Sequence, residues 1–256
     1  MTAENVFARE LKGGKVLSSG KQGWQLEIPE TLEGLYALAQ MDDYMHLPRR
    51  RFPHQPSITL ELEARLSSED MPGTWGFGFW NDPFSFGFSP GGVSRVLPVL
   101  PNASWFFYGS DQNTLSLVED QPTNGFHVKV YRSPRVPSIF SIMALPALPF
   151  FFWPAASKVI RKTARNLVKE DGQSLQVKAT AWHTYGLVWG SDRVRFEIDH
   201  QEVFSTSVSP NGKLGLVIWI DNQYMRFGPD GKFRFGYSAM DSTQWMQIRN
   251  MKLISQ

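Results

Sequence analysis

The sequence predicts an all-β sandwich, and three observations carry that prediction. Apolar and polar residues alternate with period two along most of the chain; Gly, Pro and Asn punctuate it at short intervals; and aromatic residues (9 Trp, 19 Phe, 7 Tyr) fall in short alternating runs. In chain order, Ile58–Leu66 alternates cleanly, apolar on one face and charged on the other. Trp75–Trp80 alternates next, with Trp75, Phe77 and Phe79 on one face and Gly76, Gly78 and Trp80 on the other. Glycine inside a strand signals close approach by another backbone or by a ligand. After the turn at Asn81-Asp82-Pro83 a strand is expected over Phe84–Phe88. Further strands are expected over Ser104–Tyr108, Thr114–Val118, Phe126–Tyr131, Leu175–Thr180 and Thr184–Trp189. The last third adds Val194–Ile198, Glu202–Val208, Gly215–Ile220, Lys232–Gly236 and Trp245–Leu253.

One segment departs from this period. Residues 139–154 are nearly uncharged and lead into a helical pattern over Ala155–Lys169. There Ala156, Ile160, Ala164, Leu167 and Val168 share one face, while Lys158, Arg161, Lys162, Arg165 and Lys169 take the other. Pro146 and Pro149 interrupt an apolar run of only 16 residues, which excludes an ordinary membrane-crossing helix. Three roles stay open: packing on the sandwich, a lid over an apolar pocket, or a peripheral membrane contact through 150–169, with Phe150, Phe151, Phe152 and Trp153 beside the basic face. The organisation is a single domain over 1–256. Its first 55 residues wrap the sheets, and 133–172 form an apolar and helical insertion.

At 256 residues a single β core of this size needs no covalent staples. The chain has no Cys, which removes disulfides, zinc–thiolate centres and thiol nucleophiles. The near balance of 26 Lys and Arg against 24 Asp and Glu, with no long basic run, argues against nucleic-acid wrapping. Arg49-Arg50-Arg51 is too short a cluster to change that, and Gly13-Gly14-Lys15 lacks phosphate-loop spacing. Residues 1–20 hold no apolar signal core, so a cytoplasmic location is expected unless a leader was removed. His46, His54, His127, His183 and His200 show no metal-binding spacing. No cofactor is called for, except that turns holding Asp82 and Asp221 offer oxygen ligands of the kind calcium takes.

Trp182-His183-Thr184-Tyr185-Gly186-Leu187-Val188-Trp189, followed by Asp192-Arg193-Val194-Arg195-Phe196, resembles a strand pair of the concanavalin A-like lectin and glucanase superfamily, and of family-16 glycoside hydrolases in particular. Ile58–Leu66 with Gly73–Trp80 resembles that family's Trp-bearing strands, and Gly215–Trp219 its late one. The resemblance implies a concanavalin-like jelly roll and a saccharide-binding groove. Hydrolases of this family carry Glu-x-Asp-x-(x)-Glu on one strand, so that alternation aligns the carboxylates. Retention needs two carboxyl groups about 5–5.5 Å apart. A literal match exists at Glu197-Ile198-Asp199-His200-Gln201-Glu202, but it follows the His-Thr-Tyr strand, where the family has a hairpin. Asp199-His200-Gln201 is then a turn, and Glu202 lies on the returning strand. Where the catalytic strand belongs, residues 99–110 hold no carboxylate.

The leading expectation is therefore a non-hydrolytic carbohydrate-binding protein taking poly- or oligosaccharide in an aromatic groove. Trp75, Trp80, Trp105, Phe107 and Trp219 are the aromatic candidates, with Trp80, Trp105 and Trp219 preferred and Asn222 and Gln223 supplying polar groups. The first alternative is a small apolar ligand, bound or isomerised or cyclised beneath a lid over 139–168. The second is a glycosidase using Glu197 and Glu202.

Overall fold

Among the described residues, period-two alternation resolves into two seven-stranded antiparallel sheets packed face to face, with one α-helix and a two-stranded ribbon outside them. The computed structural model describes residues 6–20, 23–83, 99–114, 116–117, 121, 123–134, 153–227, 230 and 232–255. The first sheet runs β1 (Phe7–Leu11), β4 (Leu38–Asp42), β13 (Gly215–Asp221), β6 (Thr74–Trp80), β7 (Ala103–Gly109), β8 (Gly125–Arg132) and β9 (Lys169–Ser174). The second runs β12 (Gln201–Thr206), β11 (Val194–Ile198), β10 (His183–Trp189), β5 (Ile58–Leu66), β16 (Gln244–Ser255), β3 (Gly23–Ile28) and β2 (Lys15–Ser18). The ribbon pairs β14 (Gln223–Phe227) with β15 (Phe233–Tyr237), and the helix α1 spans Pro154–Leu167.

The core is built by the inward half of each strand. Trp75, Phe77 and Phe79 of β6, Phe106 and Tyr108 of β7, and Leu216, Ile218 and Ile220 of β13 meet Leu60, Leu62, Tyr185, Leu187, Trp189 and Phe196 from the second sheet. Tyr185 makes edge contacts with Phe77 and Phe106 at centroid distances of 5.2 and 5.1 Å, which keys the two layers together. The first 55 residues give β1 and β4 to one sheet and β2 and β3 to the other.

Several expectations change at this level. Leu175–Thr180 is irregular; the strand is the preceding Lys169–Ser174, an all-polar Lys-Glu-Asp-Gly-Gln-Ser run without alternation. It forms because β8 offers it a full ladder, from His127↔Ser174 to Arg132↔Lys169. Of Thr114–Val118, Thr114 makes a single bridge to Arg226, while Leu115 and Val118 lie outside the described residues. The expected strand over Phe84–Phe88 and the apolar run over 139–152 also lie outside them. In α1, Leu167 is exposed rather than inward, and Arg161 is buried. Arg161 turns inward because backbone acceptors await it: its guanidinium donates to the carbonyls of Ser116 (2.7 Å) and Phe227 (3.2 Å).

Candidate functional site

The outward half of the first sheet is where the chemistry collects, and strand register lines it up in rows. One row reads Arg9, Gln40, Trp219, Gly76, Phe107, His127. The next reads Asp42, Val217, Gly78, Trp105, Lys129, Gly172. A third reads Gly215, Trp80, Ala103, Tyr131, Glu170. The face is thus aromatic at its centre and polar at both ends.

The structure brings Trp80, Trp105 and Trp219 together. Ring centroids lie 5.7 Å apart for Trp80 and Trp105, 5.5 Å for Trp105 and Trp219, and 6.4 Å for Trp80 and Trp219, whose planes differ by 8°. Phe107 joins at 5.7 Å from both Trp105 and Trp219. The strand glycines explain the arrangement. A Cβ on Gly76 would stand 2.6 Å from the Trp219 ring, and one on Gly78 would stand 2.7 Å from the Trp105 Cβ. The close approach signalled by these glycines is made by tryptophan and the β7 backbone. Trp80 donates its indole N–H to the Tyr44 hydroxyl (2.5 Å), and Trp219 donates to Thr74 Oγ1 (2.9 Å). Both rings are therefore fixed before any ligand arrives. Trp80 and Trp105 stay partly open to solvent, whereas Trp219 is 8% exposed and forms the floor.

The polar ends are unusually dry. Lys129 Nζ sits 2.5 Å from Glu170 Oε1, with side-chain exposures of 2% and 0%. Burial pushes the Lys129 ammonium below its usual range, while the Glu170 carboxylate pulls it back up. The Tyr131 hydroxyl bonds the same carboxylate, and burial together with that negative charge raises it well above the usual phenol range. Glu170 Oε2 also accepts the Leu117 N–H at 2.8 Å. Beside them, His127 is held neutral by burial and by the Lys129 charge, its pKa pushed down to about 3. At the other end Gln40 donates to Asp42 Oδ2 at 2.7 Å. Asp221 closes the row beyond Trp219: burial raises its carboxyl to about 7, although Thr74 Oγ1 (2.7 Å), the Gln223 N–H (3.2 Å) and the Tyr36 hydroxyl (3.2 Å) donate to it.

Other sequence candidates fall elsewhere. Trp75 belongs to the core. Asn222 is fully buried, and its amide is spent on backbone, accepting from the Ala37 N–H and donating to Leu35 O and Ser238 O. It ties the chain as it leaves β13, and its complete burial on three backbone partners leaves it closed to a ligand. Gln223 opens the separate ribbon, where it pairs with Tyr237. Asp82 follows β6 and Asp221 pairs with Thr74 at its start, so the two calcium candidates stand at opposite ends of that strand and do not form one site. Among the described residues no three His, Asp or Glu side chains group as a metal site. Glu197 and Glu202 face each other across the β11–β12 hairpin on the outer side of the second sheet, both paired to Arg195 (2.8 and 3.9 Å). Asp199 and His200 make the turn with φ of 51° and 63°, and Asp199 binds His183 Nδ1 at 2.7 Å. On that sheet a depression of about 370 Å³ is lined by Glu61, Glu63, Thr184, His200, Asn250 and Lys252.

Sequence reading missed Lys129, Glu170, His127, Tyr131 and Asp42. The signal for three of them was present: His127, Lys129 and Tyr131 alternate with Val128 and Val130, marking a polar strand face.

No protein-family model matches the chain, and no curated protein matches it in sequence. Solved structures do. A glycoside hydrolase family protein from Mycobacterium thermorestibile aligns over 97% of this chain and 92% of its own, at 13% identity and a TM-score of 0.51. A Bacteroides ovatus family-16 protein of a mixed linkage glucan locus, in complex with a product, aligns over 99% and 96%, at 9% identity and a TM-score of 0.50. A sialidase is matched over 98% of this chain but only 17% of its own length, at 10% identity and a TM-score of 0.48. The first two show the fold: a concanavalin-type jelly-roll sandwich like that of family-16 glycoside hydrolases.

Proposed function

We propose that this protein binds poly- or oligosaccharide on the outer face of its first sheet without cleaving it. One observation carries the reading. Strand β7, beside the Gly- and Trp-bearing β6, turns Ala103, Trp105, Phe107 and Gly109 outward, in the place where the family-16 resemblance puts its row of carboxylates. Among the described residues, the carboxylates of this face are too far apart for glycoside hydrolysis. Asp42 and Asp221 lie on neighbouring strands with a four-residue offset, about 13 Å along the strand. Asp42 and Glu170 are separated by five strand spacings, about 24 Å. Hydrolysis needs a pair within about 5–9.5 Å. Pre-oriented indole faces suit the C–H-rich faces of sugar rings, and the rigid floor limits the entropy lost on binding.

The test is calorimetry and thermal shift with β-glucans, galactans and xylans, alongside reducing-end release. Selective binding without release is expected, weakened about tenfold or more by Trp105→Ala or Trp80→Ala. Release of reducing ends by the purified protein, or binding indifferent to both substitutions, overturns the reading.

A second reading has its own observation. Val168, at the end of α1, packs with Ala103 and Tyr131 against Trp80 and Trp105, so the described end of the insertion rests on the aromatic face. That contact favours the alternative of a small apolar ligand, carried or isomerised or cyclised, with 139–168 as its lid. Fatty acids and polyprenols in the same panel separate the two: a shift with these alone favours the lid.

A further inference from the structure

The charge of this chain is unevenly distributed. Between Gln121 and Lys169 it carries eight Lys or Arg and no Asp or Glu. The remainder holds 18 Lys and Arg (26 less 8) against 24 Asp and Glu, so a net −6 body carries a +8 segment. Helix α1 is the described part of that segment, and its two faces are sharply different. Ser157, Arg161 and the following Val168 are buried against the sandwich. Lys158, Lys162 and Arg165, with Lys169 beyond, are exposed. Exposed apolar groups lie along the same helix: Trp153 at 60%, Val159 at 64% and Leu167 at 45%.

From these exposed cations and exposed apolar side chains on one helix, we infer that the protein docks through α1 on an anionic lipid bilayer. A bilayer is the partner that uses both features at once. Cations next to the interface are drawn to anionic headgroups, and a tryptophan settles at headgroup depth. Nucleic acid would use the cations but leave the exposed Trp153, Val159 and Leu167 unsatisfied. The inward pair of anchors, Arg161 to Ser116 O and Phe227 O, fixes the helix on the body while Lys158, Lys162 and Arg165 stay exposed. Among the described residues no helix is long and apolar enough to cross a membrane, so the attachment is peripheral. It is independent of which ligand the aromatic face takes.

The experiment is co-sedimentation of the full chain with vesicles of phosphatidylcholine alone and of phosphatidylcholine mixed with phosphatidylglycerol, across a salt series. Binding to the mixed vesicles only, relieved by salt, is expected. Each cation near the surface contributes about fivefold, so Lys158→Gln/Lys162→Gln/Arg165→Gln weakens binding on the order of a hundredfold. Trp153→Ala weakens it by a smaller factor that salt does not alter. These side chains are exposed, and a circular dichroism melt of each variant checks that the fold is kept. Wild-type protein that ignores the mixed vesicles overturns the inference whatever the variants do. So does tighter binding to duplex DNA than to mixed vesicles at equal salt, or vesicle binding that survives the triple substitution in folded protein.

Discussion

The two outer faces of this sandwich are built on the same alternation and have opposite characters. Outward positions of the second sheet form a wet ladder of opposite charges. Glu63 meets Arg249 at 2.7 Å and Glu61 meets Lys252 at 2.9 Å, while Arg65 and Arg249 lie over the Trp182 ring at 5.0 and 4.1 Å. Outward positions of the first sheet are Trp, Phe and Gly, bounded by a Lys129–Glu170 pair withdrawn from water. An outward face normally needs only solubility, and the second sheet satisfies that with cross-strand pairs worth little individually. Concentrating aromatics and desolvated charges on the first sheet costs free energy, a cost that the proposed saccharide site would account for.

Stability separates the faces most strongly. Lys129→Met leaves Glu170 charged and buried, and is expected to cost about 3–5 kcal/mol in denaturant unfolding. Arg249→Met breaks an exposed pair and is expected to cost less than about 1 kcal/mol. Adding Glu170→Met to Lys129→Met is expected to recover most of the loss, since the cost lies in the orphaned charge. A Lys129→Met protein as stable as wild type would mean that the pair is solvated after all, and the contrast would fail.

The pH response is expected to run in opposite senses on the two faces. Burial raises the Asp221 carboxyl to about 7, so its neutral form is the one the folded state favours. That stability is fully present below about pH 4, where the unfolded group titrates, and is lost as pH rises through about 7, a span of a few kcal/mol. Glu63 is held below its usual value by its hydrogen bond to Asn250 and by Arg249. Its contribution is present above its unfolded value and lost as pH falls through its depressed one. Asp221→Asn is expected to flatten the decline between pH 4 and 7 while leaving the acid limb unchanged. A wild-type stability profile flat over that window would remove the premise.

How much of this was legible beforehand depended on where the pattern was written. Ile58–Leu66 carries its burial in its own alternation, and Trp75–Trp80 carries its two faces, which the structure keeps. Lys169–Ser174 carries none; its strand state comes from β8, a partner about forty residues away. The aromatic trio was readable because Trp80 shares the glycine face of its alternating strand and polar residues follow Trp219 at once. Lys129 with Glu170 was not, because an ion pair between strands separated by a whole insertion leaves no local trace. Asn222 misled for the converse reason: a polar residue after a Trp-bearing strand suits a groove and a backbone tether equally well, and only register decides between them.

The smallest expected effect is the most discriminating for function. Glu197 and Glu202 are the literal match to a hydrolase motif, yet they share Arg195 on the wet face of the sheet opposite the tryptophans. Phe196 and Ile198, their inward neighbours, are in the core, so the whole thickness of the sandwich separates the two carboxylates from the aromatic face. Two opposed carboxylates on one guanidinium are a surface ion cluster, and neutralising both relieves their mutual repulsion while losing weak attraction to Arg195. Glu197→Gln/Glu202→Gln is therefore expected to shift stability by less than about 1 kcal/mol and to leave saccharide affinity unchanged, both read by calorimetry. Lost affinity in a folded double variant would move the binding site to the second sheet. It would also mean that the charged face, and not the aromatic one, is where this fold meets its ligand.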